Sequence, residues 1–147
     1  MIGICRTPSV HVMHTFLIVD DSPTIRRMIK VAMAAIPGVT CREAGTGLHA
    51  IEQLTLARVS LMVLDLNMPD MHGLEVLAFV RRHPVYHALP VMVVTTRGDD
   101  ASRDAALAAG ATVYRTKPFN PRALADEARA LVESSTAAPA EDQSRVP

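Results

Sequence analysis

Three carboxylates directly follow two apolar segments of the chain. Asp20 and Asp21 come after residues 16–19 (FLIV), and Asp65 comes after residues 61–64 (LMVL). Like charges repel, so three carboxylates held in one pocket are unfavourable unless a cation neutralises them. Magnesium binds a few carboxylates and retains waters, so this set of residues is typical of a Mg²⁺ site. Aspartate can also form an acyl phosphate, which makes Asp65 a candidate nucleophile for phosphoryl transfer.

Two later apolar segments end in groups that suit the same reaction. Thr95 closes the segment VMVVT, and Lys117 follows the segment TVYRT. Phosphoryl transfer requires positioning and charge neutralisation more than covalent assistance. An ammonium group supplies charge, and a hydroxyl group can donate a hydrogen bond to a phosphoryl oxygen. These roles require that the fold bring Thr95 and Lys117 to the carboxylates.

The elements that must position these groups are strands and helices in alternation. Apolar runs predict strands near residues 15–19, 39–43, 61–65, 91–96 and 112–116, and 3.6-residue periodicity predicts a helix after each one. This alternation favours a parallel sheet with helices on both faces. Ligands bind at the carboxyl ends of the strands in such sheets. We therefore expect the three carboxylates, Thr95 and Lys117 to meet at one edge.

Composition narrows the class of protein. The chain has 147 residues, which suggests one domain, and 49% of them are apolar. Fifteen basic residues balance fifteen acidic ones, so the charge predicts neither a nucleic-acid nor a membrane partner. Cys5 and Cys41 fit no disulfide framework or zinc site and indicate reduced thiols. Arg6 and Pro8 interrupt any signal-peptide core, and no apolar run could span a bilayer, so we expect a cytoplasmic protein.

Composition also predicts the domain boundaries. Residues 1–13 form a flexible N-terminal extension in this prediction, unless the natural chain begins at Met13. Residues 14–133 form the folded domain, and residues 134–147 have the composition of a disordered tail. Too few residues follow the last predicted helix for a DNA-binding domain, so we expect output through another protein.

Four quoted segments carry a family resemblance. VDDSPTIRRMI, LDLNMPDMHGLEVL, PVMVVTT and AGATVYRTKPF occur in this order between about residues 16 and 131. Together they resemble the receiver domain of two-component response regulators, especially the stand-alone, chemotaxis-like kind. The resemblance implies an α/β fold of the flavodoxin-like, doubly wound type. Its parallel sheet would have five strands in the order 2-1-3-4-5, with five helices on both faces.

The resemblance also implies roles for the acidic residues. Asp65 would accept a phosphoryl group from a sensor histidine kinase or a histidine phosphotransfer protein. Asp20, Asp21, Asp65 and the backbone carbonyl of Asn67 would hold Mg²⁺ or Mn²⁺. The resemblance further implies output in one of two ways: a downstream protein docks on the surface of the fourth helix, fifth strand and fifth helix, or the phosphate is passed onward to a histidine.

The remaining implied roles concern phosphate contact and switching. Thr95, Thr96 and Lys117 would contact the phosphate, and Thr95 with Tyr114 would form the switch pair. The peptide bond before Pro118 is a candidate for the cis form, which only X-Pro bonds adopt at modest cost.

Two positions would tune hydrolysis of the phosphorylated residue, and a third position departs from the family pattern. Asn67 and Arg97 lie two residues after Asp65 and Thr95, at positions that face the phosphoryl group in this family. His72 stands where the family usually has aspartate, and we expect little effect on phosphorylation there.

The same residues have ordinary structural explanations. Asp20 and Asp21 suit a helix N-terminus, and Asp65 could bond to loop backbone. Thr95 could be an ordinary strand residue, and Tyr114 a half-exposed strand aromatic. Lys117 could be a solvated surface lysine. The arginine pairs 26–27 and 81–82 could steer an acidic kinase surface toward this protein, but ordinary solvated helix faces explain them equally well. The co-occurrence of the motifs favours the phosphoryl-transfer site.

For a phosphorylated signalling module we expect no enzymatic turnover beyond slow self-dephosphorylation. Three other functions compete with this hypothesis. An aspartyl-phosphate phosphatase needs an acid two residues after its nucleophile, where this chain has Asn67. A flavin carrier needs a phosphate-cradling loop after the first strand, and DDSPT is acidic there. A receiver-like scaffold that signals without phosphate remains open, although the complete acidic set argues against it.

Overall fold

The computed structural model describes residues 13–137 of the chain. Within them, strands and helices alternate as follows: β1 (His14–Val19), α1 (Pro23–Ala34), β2 (Val39–Ala44), α2 (Gly47–Leu56), β3 (Leu61–Leu64), α3 (Gly73–Arg82), β4 (Val91–Thr95), α4 (Asp100–Ala108), β5 (Val113–Thr116) and α5 (Pro121–Ala137). No helix among these residues is long and apolar enough to cross a membrane.

The five strands form one parallel sheet in the order β2-β1-β3-β4-β5, as predicted. In the register, Val19 lies beside Leu64 of β3 and Ala44 of β2, so β1, β2 and β3 end at the same level. The chain order reverses direction between β1 and β3, and this reversal is the topological switch point at which α/β sheets bind ligands. Asp20 and Asp65 directly follow the two strands that flank it.

Alternate residues of the central strands face two apolar layers. Leu17 and Val19 belong to the layer under α2, α3 and α4, whereas Phe16 and Ile18 belong to the layer under α1 and α5. All four of these side chains are almost completely inaccessible to solvent. Strands covered on both faces lose the polar alternation of a half-exposed sheet, which explains the continuous apolar runs in the sequence.

Side-chain caps fix where the site-bearing loops become helices. Ser22 caps α1 by accepting a hydrogen bond from the Ile25 amide, and Pro23 occupies the first turn. Thr46 caps α2 in the same way through the His49 amide. Asp99 caps α4 through the Ser102 amide. These caps explain why each loop is only a few residues long at the carboxyl edge.

The folded domain extends further at its C-terminal end than the sequence predicts. The tail was expected from residue 134, but α5 continues to Ala137, because the sequence SSTA offers no proline or glycine to end the helix. The predicted extension, apart from Met13, and residues 138–147 lie outside the described residues. The domain boundaries otherwise stay a prediction.

Candidate functional site

The sheet brings the three carboxylates together. The Asp65 amide donates to the Val19 carbonyl at 2.9 Å, so Asp65 continues the pairing of β3 with β1. One oxygen from each of Asp20, Asp21 and Asp65 lies within 4.8 Å of the others. Asp20 and Asp65 are buried, and Asp21 is exposed at the rim. The arrangement is a carboxylate cluster that is open to solvent on one side.

Lys117 supplies one positive charge to this cluster. Its Nζ lies 2.7 Å from Oδ2 of Asp20 and 3.6 Å from Oδ2 of Asp65. The Lys117 amide donates to the Thr95 carbonyl at 2.8 Å, and the Lys117–Pro118 peptide bond is cis. One ammonium cannot balance three carboxylates, so the cluster retains a net negative charge. A hard divalent cation fits this charge and these oxygen ligands.

Asp65 is electrostatically strained in a way that fits such a cation. Burial is the main cause that raises the pKa of its carboxyl group, and the neighbouring Asp20 charge raises it further, against the opposing effect of Lys117. Its Oδ1 is buried and has no hydrogen-bond partner among the described residues. Buried carboxylate oxygens normally accept hydrogen bonds, so this atom is suited to a ligand rather than to the fold.

The cluster forms one wall of a cavity of about 500 Å³. Its polar lining comes from the three carboxylates, Ser22, Asn67, Thr96 and Lys117. Its apolar lining comes from Ile25 and Met28 of α1 and from Pro118 and Phe119 in the loop before α5. The cavity can therefore admit a charged group at the carboxylates and an uncharged group against α1.

Thr95 is placed behind the cavity rather than in its wall. It is fully buried, and its hydroxyl oxygen accepts hydrogen bonds from the Asn67 side chain at 3.5 Å and the Arg97 amide at 3.4 Å. Asn67 thus connects Thr95 to the acidic edge. The Arg97 side chain is exposed and borders a separate groove beside His72 and Leu74.

Tyr114 is buried, which differs from the half-exposed aromatic that the sequence also allowed. Its hydroxyl donates to the Arg97 carbonyl. Because the Arg97 amide donates to Thr95, residue 97 joins the Thr95 hydroxyl to the Tyr114 ring through its own backbone. The two residues of the predicted switch pair are therefore linked through the backbone of residue 97.

Comparison with known proteins identifies the family. The sequence model described as the response regulator receiver domain matches residues 16–129. The chain belongs to this family. It is 39% identical over 112 residues to a chemotaxis protein CheY homolog of Campylobacter jejuni, covering 76% of this chain and 86% of that one. It is 37% identical to chemotaxis protein CheY1 of Helicobacter pylori, covering 76% and 90%.

Solved receiver structures agree with this family. Chemotaxis response regulator CheY4 of Vibrio cholerae has a TM-score of 0.75 and 32% identity, over 82% of this chain and 99% of that one. A response regulator of Chloroflexus aurantiacus, described as putative in its name, has a TM-score of 0.77 and 30% identity, over 82% and 98%. The receiver fold predicted from the sequence is thus confirmed.

Several residues that support the site in this receiver domain were missed from the sequence. Arg26 donates to the Asp20 carbonyl at 2.6 Å. A β-carbon on Gly73 would lie 2.4 Å from the Asp65 carbonyl oxygen, so only glycine allows α3 to begin there. Asp70 accepts hydrogen bonds from the Gly47 and Leu48 amides at the start of α2. Of these three residues, only Gly73 could have been found from the sequence, because it stands just before a predicted helix.

His72 has a structural role that explains its departure from the family pattern. It is the N-cap of α3, and its Nδ1 accepts a hydrogen bond from the Leu74 amide at 3.1 Å. Glu75 closes the capping box by accepting from the His72 amide at 3.3 Å. The His72 imidazole therefore serves as the cap of α3, with its Nδ1 as the acceptor.

Proposed function

We propose that this receiver domain accepts a phosphoryl group on Asp65 from a phosphohistidine of a sensor histidine kinase or a histidine phosphotransfer protein. The observation that carries the proposal is the buried Oδ1 of Asp65, which has no hydrogen-bond partner within residues 13–137 and belongs to a residue that lines the cavity. In the transfer, an Asp65 oxygen bonds to phosphorus while the phosphorus–nitrogen bond of the donor breaks. The electron pair of that bond stays on nitrogen, so a donor ring that carries a proton on its other nitrogen leaves as neutral imidazole.

The chain's own residues would position this reaction. Asp20, Asp21, Asp65 and the Asn67 carbonyl would hold Mg²⁺ or Mn²⁺, which when bound neutralises carboxylate and phosphoryl charge. Lys117 lies close enough to Asp65 to contact a phosphoryl oxygen after a small movement. Thr96 lines the cavity and can donate a hydrogen bond there. The Thr95 hydroxyl accepts from Asn67, so its own proton is free to be donated to a phosphoryl oxygen once the side chain moves toward the cavity. The apolar wall formed by Met28 and Phe119 suits the uncharged imidazole.

Phosphorylation would change the surface formed by α4, β5 and α5. A phosphoryl oxygen on Asp65 would attract the Thr95 hydroxyl and shift the hydrogen bond that it accepts from the Arg97 amide. The Arg97 carbonyl is the acceptor for Tyr114, so a movement of residue 97 reaches the Tyr114 ring directly. Two states of this loop, selected by phosphate, would determine whether a downstream protein docks.

The proposed role is signalling rather than catalytic turnover. The phosphatase alternative requires an acid at residue 67, and the Asn67 amide instead donates to Thr95. We expect only slow self-hydrolysis of phosphorylated Asp65. Asn67 lines the same cavity and would set its rate, whereas the Arg97 side chain, which borders a separate groove, would contribute only after it turns toward the phosphoryl group.

Intact mass after incubation with a small acyl phosphate tests this function. The unmodified protein should gain one phosphoryl group with Mg²⁺ present and none with a chelator. Asp65→Asn should gain none, whereas Asp126→Asn, which removes an exposed carboxylate on α5, should behave as the unmodified protein. Absence of both the adduct and of Mg²⁺-dependent beryllium-fluoride binding would instead support a scaffold that signals without phosphate.

A further inference from the structure

The side chain of Arg26 joins the first turn of α1 to the backbone of the acidic edge. Its Nη1 donates to the Asp20 carbonyl at 2.6 Å, and its Nε donates to the Glu43 carboxylate at 3.0 Å. Only 18% of the Arg26 side chain is accessible to solvent. The guanidinium is therefore fixed at two points by its planar fork, a geometry that lysine cannot reproduce.

The Asp20 carbonyl belongs to the peptide group that connects Asp20 to Asp21. Fixing this oxygen therefore fixes how the two adjacent carboxylates are oriented with respect to each other. The rest of Asp20 is also held: its amide donates to the Ala44 carbonyl, and its carboxylate accepts from the Ser22 amide. Asp21 is exposed, and no hydrogen bond of its side chain is among the contacts of the described residues. The peptide plane is thus the main constraint on Asp21.

The charge of Arg26 is balanced locally, which argues that it acts by position. Glu43 accepts hydrogen bonds from Lys30 and Arg26. Both bonds lower the pKa of its carboxyl group, and the bond from Lys30 has the larger effect. The loop after β2 also leaves room for the guanidinium. A β-carbon on Gly45 would lie only 3.1 Å from the Arg26 Nη1.

We infer that Arg26 is a positioning residue for the divalent cation, because it holds the Asp20–Asp21 peptide plane so that both carboxylates reach one ion. This inference rests on the metal site of the proposed function. Partners that orient metal ligands typically change metal affinity by about 10–100-fold when they are removed. Arg26 acts on the ligand backbone, so we expect the lower end of this range.

Binding of Mn²⁺ to the metal-free, unphosphorylated chain tests this inference by electron paramagnetic resonance. Arg26→Ala should weaken binding about tenfold. Arg27→Ala removes the same charge from the adjacent, exposed position and should leave the affinity within about twofold of the unmodified protein. Arg26→Lys should retain the fold and show an intermediate loss, which keeps the test valid if Arg26→Ala unfolds.

Hydrogen exchange of the Asp20 and Ser22 amides, which donate to the Ala44 carbonyl and to the Asp20 carboxylate, gives a second readout that needs no metal. It should accelerate in Arg26→Ala and not in Arg27→Ala. Equal Mn²⁺ affinity in the unmodified protein and both Arg26 variants overturns the positioning role and leaves the proposed function intact. Failure of the unmodified protein to bind Mn²⁺ overturns the metal site itself, and the inference with it.

Discussion

The ammonium group of Lys117 donates a hydrogen bond to the Asp20 carboxylate at 2.7 Å, although 97 positions separate the two residues in the chain. This pair joins the end of β1 to the end of β5 across the acidic edge. Only 11% of the Lys117 side chain and 2% of the Asp20 side chain are accessible to solvent. The contact therefore ties the stability of the fold to the electrostatics of the site.

Lys117→Ala should destabilise the metal-free protein by about 3 kcal/mol, because it leaves Asp20 buried without its counter-ion. The measurement is urea unfolding in the presence of a chelator. Lys30→Ala removes a lysine from a surface pair with Glu43 and should cost less than about 1 kcal/mol. Equal losses in the two variants would contradict the buried-pair account.

Asp65→Asn should stabilise the metal-free protein near neutral pH by on the order of 1 kcal/mol. The folded-state pKa of Asp65 is raised, mainly by burial, so the folded state holds this proton more tightly than the unfolded state does. Stability from protonated Asp65 is complete below the unfolded-state pKa and is lost as the pH rises through the folded-state pKa. The asparagine variant should lack this loss.

Thermal unfolding with a chelator, between about pH 4 and about pH 8, measures this effect. This range begins near the unfolded-state pKa of a carboxyl group and extends above a raised folded-state pKa. Asp126→Asn is the control, since that carboxylate is exposed on α5. If Asp65→Asn is less stable than the unmodified protein near pH 7, the negative charge of Asp65 does not destabilise the fold and the prediction is wrong.

Gly73→Ala should destabilise the protein by more than about 2 kcal/mol and reduce phosphorylation, because the added methyl would collide with the Asp65 backbone. Gly98→Ala is the matched substitution, since its methyl would meet only Thr116 Cγ2 at an ordinary 3.6 Å. Urea unfolding and phosphoryl uptake should separate the two variants. Similar behaviour would show that α3 can shift away from Asp65 without consequence.

Tyr114→Phe should cost about 1 kcal/mol and loosen residues 96–99, because it removes the hydrogen bond to the Arg97 carbonyl. Tyr86→Phe removes a similar bond, to the Leu54 carbonyl, far from this loop. Hydrogen exchange should accelerate at residues 96–99 only in the Tyr114 variant. Under the switch proposal, beryllium fluoride should loosen the same loop in the unmodified protein.

Sequence patterns predicted the parts of the molecule that depend on local rules. The apolar runs located the strands, and Ser22 with Pro23 marked the start of α1. The acidic edge was predictable because parallel strands present their carboxyl ends on one side, which brings Asp20 near Asp65. The order of the strands came from the family resemblance rather than from periodicity.

Contacts between a side chain and a distant carbonyl were not predictable. Arg26 and Arg81 occupy helix positions where solvated arginines are common, yet the structure ties both to backbone. Arg81 donates to the carbonyls of Gly110, His87 and Leu89, and so links the end of α3 to the loops beside it. No periodic pattern encodes such bonds, since they depend on how loops from separate elements meet.

The most direct test of the central claim is to map the phosphoryl group after transfer from a phosphohistidine protein. Borohydride reduction converts an aspartyl phosphate to homoserine, which peptide mass spectrometry locates. The account predicts homoserine at position 65 alone, formed only with Mg²⁺, and none in Asp65→Asn. Phosphoryl transfer to any other residue, or transfer that persists in Asp65→Asn, would contradict it.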